Sequence, residues 1–234
     1  MRLDKFVCAS TGLSRKEAGR VIRAQEISIN GEPCRKTATV VSEQDDITWL
    51  GQALQIIGPR YLIMHKPKGV VCSTDDPVHP SVFMLLDEPK QQDIHCVGRL
   101  DVDTTGLLLL TDDGKWSHKI TSPKHAIRKT YIATLADPIA TAEAEQITKQ
   151  FAAGIMLRGE QNPTRPARFE LLEPQVASVE IDEGRYHQVK RMFAAVGNKV
   201  VELHRSHVGD LALDCELEPG EYRPLSEQEV AMLS

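Results

Sequence analysis

The segment "GRLDVDTTGLLLLTDDG", residues 98–114, constrains this chain more than any other stretch. Four consecutive leucines, Leu107–Leu110, leave no polar face. So short and apolar a run suits a strand covered on both sides. Acidic turns bracket it, with Asp101 and Asp103 ahead and Asp112 and Asp113 behind, and Thr104-Thr105-Gly106 reads as a turn into the strand. A carboxylate at the edge of an apolar strand is costly unless paired, so Asp101 needs a cation. Either Asp101 caps its own turn through "DTTG", or it is held ionised for chemistry.

Candidate cations lie in "GRYHQVKRM", residues 184–192. A helix is expected over 186–197, with Val189, Met192, Phe193 and Val196 on one face and Gly197 closing it. Lys190 or Arg191 could reach a carboxylate or a phosphate from that helix, while adjacent residues point in different directions, so at least one belongs to a solvated face. "RKTYIATL" sets Tyr131 in a strand, where its ring either stacks on a flat base or fills the core. His204 and His207 form an HxxH pair, but no Cys or carboxylate completes a zinc set, so no metal is expected. "HKPKG", residues 65–69, lacks the GxxxxGK of a phosphate loop and reads as a shaped turn.

The chain is organised around a change of pattern near residue 60. Before it, Leu3, Phe6 and Val7 fall at helical spacing, and "SRKE" at 14–17 has the form of a capping box ahead of Ala18, Val21 and Ile22. "ISINGEPC" reads as a hairpin turning at Asn30-Gly31, and 51–59, ending in Gly58-Pro59, reads as a linker. After it, strands are expected at 61–64, 107–111, 130–135, 167–172, 176–181 and 199–203. One further helix starts at a capping Thr141 and ends near Gly154. Many strands that do not alternate strictly with helices predict an α+β fold.

Charge bears on partners. The net charge of -5 argues against a nucleic-acid ligand, yet its distribution does not. Residues 1–36 carry eight bases against four acids, and residues 184–207 carry five against one, each a net +4. Two basic patches on an acidic body suit contact with phosphate, or are simply solvated faces. No apolar stretch approaches the length of a membrane span, and five scattered cysteines without a CxxC pair point to a reducing, cytoplasmic setting. Without a heptad seam, a monomer is expected.

Taken together, these segments resemble the RsuA class of RNA pseudouridine synthases. "GRLDVDTTGLLLLTDDG" resembles the signature around that family's aspartate, "HKPKG" its Lys-Pro-x-Gly motif, "KTY" its tyrosine segment and "EGRYHQVKRM" its C-terminal basic motif. "RLDKFVCASTGLSRKEAGRVI" with "INGE" resembles an S4 RNA-binding module. "STDDPVHPSVFMLLDEP" and "HQVKRMFAAVGN" are most similar to members acting on small-subunit 16S rRNA.

The resemblance implies an S4-like αα-hairpin module over 1–50, a linker over 51–59, and a mixed, largely antiparallel catalytic sheet domain over 60–234. It implies Asp101 as nucleophile toward a flipped-out uridine, with Lys190, where many relatives carry Arg, as its cationic partner and Tyr131 stacking on the base. Arg99, Arg15, Lys16, Arg20, Arg23, Lys66 and Arg191 are the expected RNA contacts. The implied partner is 16S rRNA, free or in an assembling small subunit, and an isomerisation requires no cofactor. Three rivals stay open: a synthase of the same class acting on large-subunit rRNA, a non-catalytic RNA-binding assembly factor, and a glycoside hydrolase using Asp103 as second carboxylate.

Overall fold

The computed structural model describes residues 1–56 and 58–233. Two compact units divide the chain, Met1–Pro59 and Arg60–Ser234. In the first, α1 (Leu3–Thr11) and α2 (Arg15–Arg23) precede β1 (Ile27–Ile29), β2 (Glu32–Pro33), β3 (Ile47–Trp49) and β4 (Gln52–Ala53). The capping box forms: the Ser14 side chain accepts from the Glu17 amide while Glu17 reaches back to the Ser14 amide. Leu3 and Val7 of α1 meet Ala18, Val21 and Ile22 of α2 over Ile27 and Ile47 of the sheet. The strands run in the order β2-β1-β3-β4. Asn30 and Gly31 turn the first hairpin, both at positive φ.

Leu50 and Gly51 repeat that geometry at φ 49 and 83, so β4 is a strand although 51–59 reads as linker. The sequence conceals the turn because a leucine stands where asparagine is usual. Ile57, within the same stretch, lies outside the described residues.

The larger unit continues with β5 (Tyr61–Lys66), β6 (His95–Val97), β7 (Thr104–Thr111), α3 (Gly114–Thr121), β8 (Lys129–Leu135), α4 (Thr141–Ala153), β9 (Arg168–Glu173) and β10 (Val176–Ile181). It ends with α5 (Gln188–Ala195), β11 (Val200–Val208), β12 (Leu211–Ala212), β13 (Tyr222–Pro224) and α6 (Glu227–Met232). The sheet order is β13-β5-β7-β11-β8-β10-β9. Among the described residues of this sheet only β7 and β11 pair in parallel; its other strand pairings are antiparallel.

The leucine run occupies the centre. Leu108 and Leu110 enter one apolar cluster with Leu62, Met64 and Ile94, and Leu107 and Leu109 enter another with Ile63, Trp116 and Val208. Both faces of β7 are therefore covered, as the composition of the run predicts. A third cluster packs Phe151 of α4 and Phe193 of α5 against Phe169 and Val179 of the sheet.

Thr104–Gly106 is strand, not turn, and pairs with Leu203–Arg205. Gly106 explains the motif's glycine. At φ 104 it lies so close to β11 that a Cβ there would overlap the Arg205 carbonyl. Along its other half β7 changes partner, pairing with β6 at Leu109–Thr111. Where the two partners diverge, the buried Arg205 donates Nε to the Leu107 carbonyl at 2.8 Å. The helix expected to be capped by Thr141 starts after Ala140, with no side-chain cap.

Candidate active site

Asp101 lies in the short loop between β6 and β7, and several neighbours fasten that loop. The Gly69 amide of the "HKPKG" turn donates to the Val102 carbonyl at 2.8 Å. The Leu100 amide donates to Cys72 Sγ at 3.4 Å, and the Thr104 amide to the Asp101 carbonyl at 3.1 Å. Lys66 Nζ donates to the Thr104 and Pro67 carbonyls at 2.9 and 3.0 Å. Lys66 is wholly buried, so it serves the loop from beneath and is corrected from an expected RNA contact. Burial lowers its pKa, against the opposing pull of Cys72, Asp101 and Asp103. Cys72 in turn is held well below the usual thiol range, chiefly by the hydrogen bond from Cys96, despite its burial.

The second half of the site comes from the start of α5. Gln188, buried, accepts from the Arg185 amide at 2.9 Å and donates to Glu183 at 2.8 Å, closing the turn before the helix. His187 takes a left-handed conformation, φ 47 and ψ 37, so α5 begins at Gln188, two residues later than expected. One turn into the helix, Lys190 Nζ reaches Asp101 Oδ2 at 3.2 Å and Asp103 Oδ1 at 2.6 Å. His187 Nε2 lies 3.4 Å from the other oxygen, Asp101 Oδ1. Burial works against the Lys190 charge, but the two carboxylates prevail and raise its pKa. Burial likewise opposes the Asp103 charge, and Lys190 prevails, lowering the Asp103 pKa.

Tyr131, on β8, closes the constellation. It lines the same cleft as Asp101, together with Arg99, Thr104, His187 and Leu203. Asp101, Lys190 and Tyr131 come from separate segments of the sequence; the fold brings Asp101 and Tyr131 to one cleft and Lys190 into contact with Asp101. The turn-cap reading of Asp101 fails: among the described residues its carboxylate meets the side chains of Lys190 and His187 and accepts from no backbone amide. His187 was missed in the sequence, where its only signal was a place three residues ahead of Lys190.

The remaining cations divide. Arg15, Lys16, Arg20 and Arg23 stand exposed along α2, and Arg99 is exposed at the cleft. Arg191 is already engaged within the protein: its guanidinium donates to Glu160 Oε1, the Tyr186 carbonyl and the Arg158 carbonyl at 3.0, 3.1 and 2.8 Å. Arg185 is spent in the same way on the Asn162 and Pro163 carbonyls. With Arg205 buried as well, most of the basic residues of 184–207 hold the protein together instead of forming a patch. His204 Nδ1 meets Thr105 Oγ1 at 3.0 Å.

A carboxylate held between an ammonium and an imidazole, in a cleft with an aromatic ring, suits nucleophilic attack on a flat, electrophilic ring system. Comparison with known proteins decides the matter. Residues 60–195 match the family model for RNA pseudouridylate synthase, and residues 1–47 match that of the S4 domain. The chain belongs to the RNA pseudouridylate synthase family.

The synthase is 53% identical over 232 residues to ribosomal small subunit pseudouridine synthase A of Escherichia coli K12, covering 99% of each chain. It is 51% identical over 233 residues to the protein of that name from Vibrio cholerae, covering 100% of this chain and 99% of the relative. A solved structure described as a pseudouridylate synthase matches all of both chains at 49% identity and TM-score 0.70. The α+β fold, the S4 module and the enzyme class expected from the sequence are therefore established. Among the described residues no helix is long and apolar enough to cross a membrane.

Proposed function

We propose that this synthase isomerises a uridine of small-subunit ribosomal RNA, with Asp101 as nucleophile, Lys190 as its cationic partner and Tyr131 stacking on the target base. One observation carries the reading: the Asp101 carboxylate meets Lys190 at 3.2 Å and His187 at 3.4 Å in a cleft that Tyr131 also lines. Lys190 and the His187 imidazole each hold one oxygen of the carboxylate and so fix its plane, as a nucleophile requires. The reaction breaks N1–C1′, turns the uracil and joins C5 to C1′, while C5 loses a proton and N1 becomes N–H. Atoms and electrons balance without a redox partner.

Reaching that bond requires the uridine to leave its stack, at a cost of a few kcal/mol that phosphate contacts offset. The exposed cations of α2 and Arg99 at the cleft are among the groups placed to make them. The small-subunit target follows from the names of relatives about half identical over nearly their whole length. The setting is a cytoplasmic monomer acting on free rRNA or an assembling small subunit.

The test is chemical mapping of pseudouridine in ribosomal RNA from cells lacking this protein. One small-subunit position should lose the modification and regain it when the gene is restored. An unchanged small-subunit map, or a loss confined to the large subunit, contradicts the proposal.

A further inference from the structure

We propose that Tyr186 is a stacking platform for an unpaired RNA base beside the reacting uridine, and that His187 ties this platform to Asp101. The inference rests on the function proposed above and names a further part of its substrate. Tyr186 is 75% exposed, at the lip of the cleft that Gly184, Arg185 and His187 line. Its ring lies on that of His187, with centroids 3.8 Å apart and an angle of 18° between planes. His187 covers one face of Tyr186, and the other is left to solvent.

The backbone around the ring is anchored. The Tyr186 carbonyl accepts from Arg191 at 3.1 Å, and Arg185 before it donates to the Asn162 and Pro163 carbonyls at 2.8 and 2.6 Å. An aromatic ring held outward by so pinned a segment is preorganised, and its rotamers alone remain to be ordered on binding. The left-handed backbone of His187 then directs one ring outward and the other toward Asp101 Oδ1 at 3.4 Å.

The chemistry of the occupant follows. Moving one uridine into the cleft strips its neighbours of a stacking partner at the cleft's edge. An aromatic face there replaces that partner for any base, because every base has a π face. Such a contact adds affinity and register without sequence preference. His187 is a positioning residue in this scheme: its imidazole backs the Tyr186 ring and holds the side of Asp101 that Lys190 does not.

The experiment uses the full chain and a small-subunit rRNA transcript on which wild-type protein forms pseudouridine. A second transcript carries abasic residues on both sides of the mapped uridine. Single-turnover rates at rising enzyme concentration separate half-saturation from the saturating rate. Tyr186→Leu should raise half-saturation about 5- to 150-fold, the range of one base–aromatic stack, with a saturating rate within about twofold of wild type. Tyr186→Phe, which keeps the ring, should restore binding. On the abasic transcript wild type and Tyr186→Leu should coincide.

His187→Asn tolerates the left-handed backbone and should impair both half-saturation and saturating rate. Wild-type binding by Tyr186→Leu, or a defect that persists on the abasic transcript, overturns the platform. Wild-type rates for His187→Asn overturn its link to Asp101. Wild-type protein that forms pseudouridine in the large subunit alone fails the parent reading, and is seen without any variant.

Discussion

Lys190 bridges two carboxylates, and the shorter contact is to Asp103, not Asp101. Asp103 thereby fixes the ammonium in place while leaving Asp101 a second partner at longer range. Removing the charge with Lys190→Met should cut the saturating rate roughly 10- to 100-fold, the worth of one hydrogen bond to a charged group. Lys190→Arg should recover much of the loss, and single-turnover rates on saturating RNA check both.

The Lys190–Asp103 pair also has a pH signature. Asp103, with its pKa lowered, contributes stability that is full above the ordinary carboxylate value and is lost as pH falls through the lowered one. Lys190, with its pKa raised, contributes stability that is full below the ordinary lysine value and is lost as pH rises through the raised one. Asp103→Asn should therefore lower thermal stability by a constant amount between about pH 5 and 9, with the gap closing below about pH 4 and again above the ordinary lysine value of about 10.4. Asp103 is half exposed, so that gap is under about 1 kcal/mol. A gap that varies across neutral pH contradicts the pairing.

At the scale of elements, the sequence was most legible where one residue's chemistry decides the local answer. Leu107–Leu110 dictated a doubly covered strand, Ser14 and Glu17 a helix start, and Asn30-Gly31 a hairpin. What escaped was set by distant partners. The exchange of β11 for β6 along β7 depends on chain nearly 100 residues away, and Arg205 fills the gap between them. α3 went unread because Asp113, seen only as a turn, is its cap, accepting from the Lys115 and Trp116 amides. α6 has only six residues and shows in sequence as an acidic tail.

Gly106 is where element and site meet. Gly106→Ala puts a Cβ into the Arg205 carbonyl at a backbone conformation alanine avoids. It should cost about 3 kcal/mol or more and lower the melting temperature sharply. Gly114→Ala, with open space around the new Cβ, should change it little. Equal melting temperatures for the two variants would remove the close β7–β11 approach from the account.

For the molecule as a whole, the two basic segments have opposite fates. Residues 15–23 offer cations to solvent, whereas Arg185, Arg191 and Arg205 are consumed by internal carbonyls and carboxylates. Counting charge along the chain could not separate these cases, because most of the carbonyls that absorb the guanidinium groups, those of Leu107, Arg158, Asn162 and Pro163, lie more than twenty residues away in sequence. Replacing Arg15, Lys16, Arg20 and Arg23 by Ser should weaken RNA binding and flatten its salt dependence, by up to about 0.9 in slope for each phosphate left without its cation. The saturating single-turnover rate should stay near wild type. An unaltered salt slope would take α2 out of the RNA interface.

The central claim is that Asp101 forms a bond to the substrate. Asp101→Asn tests it most directly, because asparagine preserves size and backbone preference but removes the charge and the nucleophilic oxygen. The measurement is pseudouridine yield after long incubation of the variant with small-subunit rRNA, beside its melting temperature and RNA affinity. The account predicts no product from a protein that folds and binds RNA as wild type does. Substantial product from that folded, RNA-binding variant would contradict it.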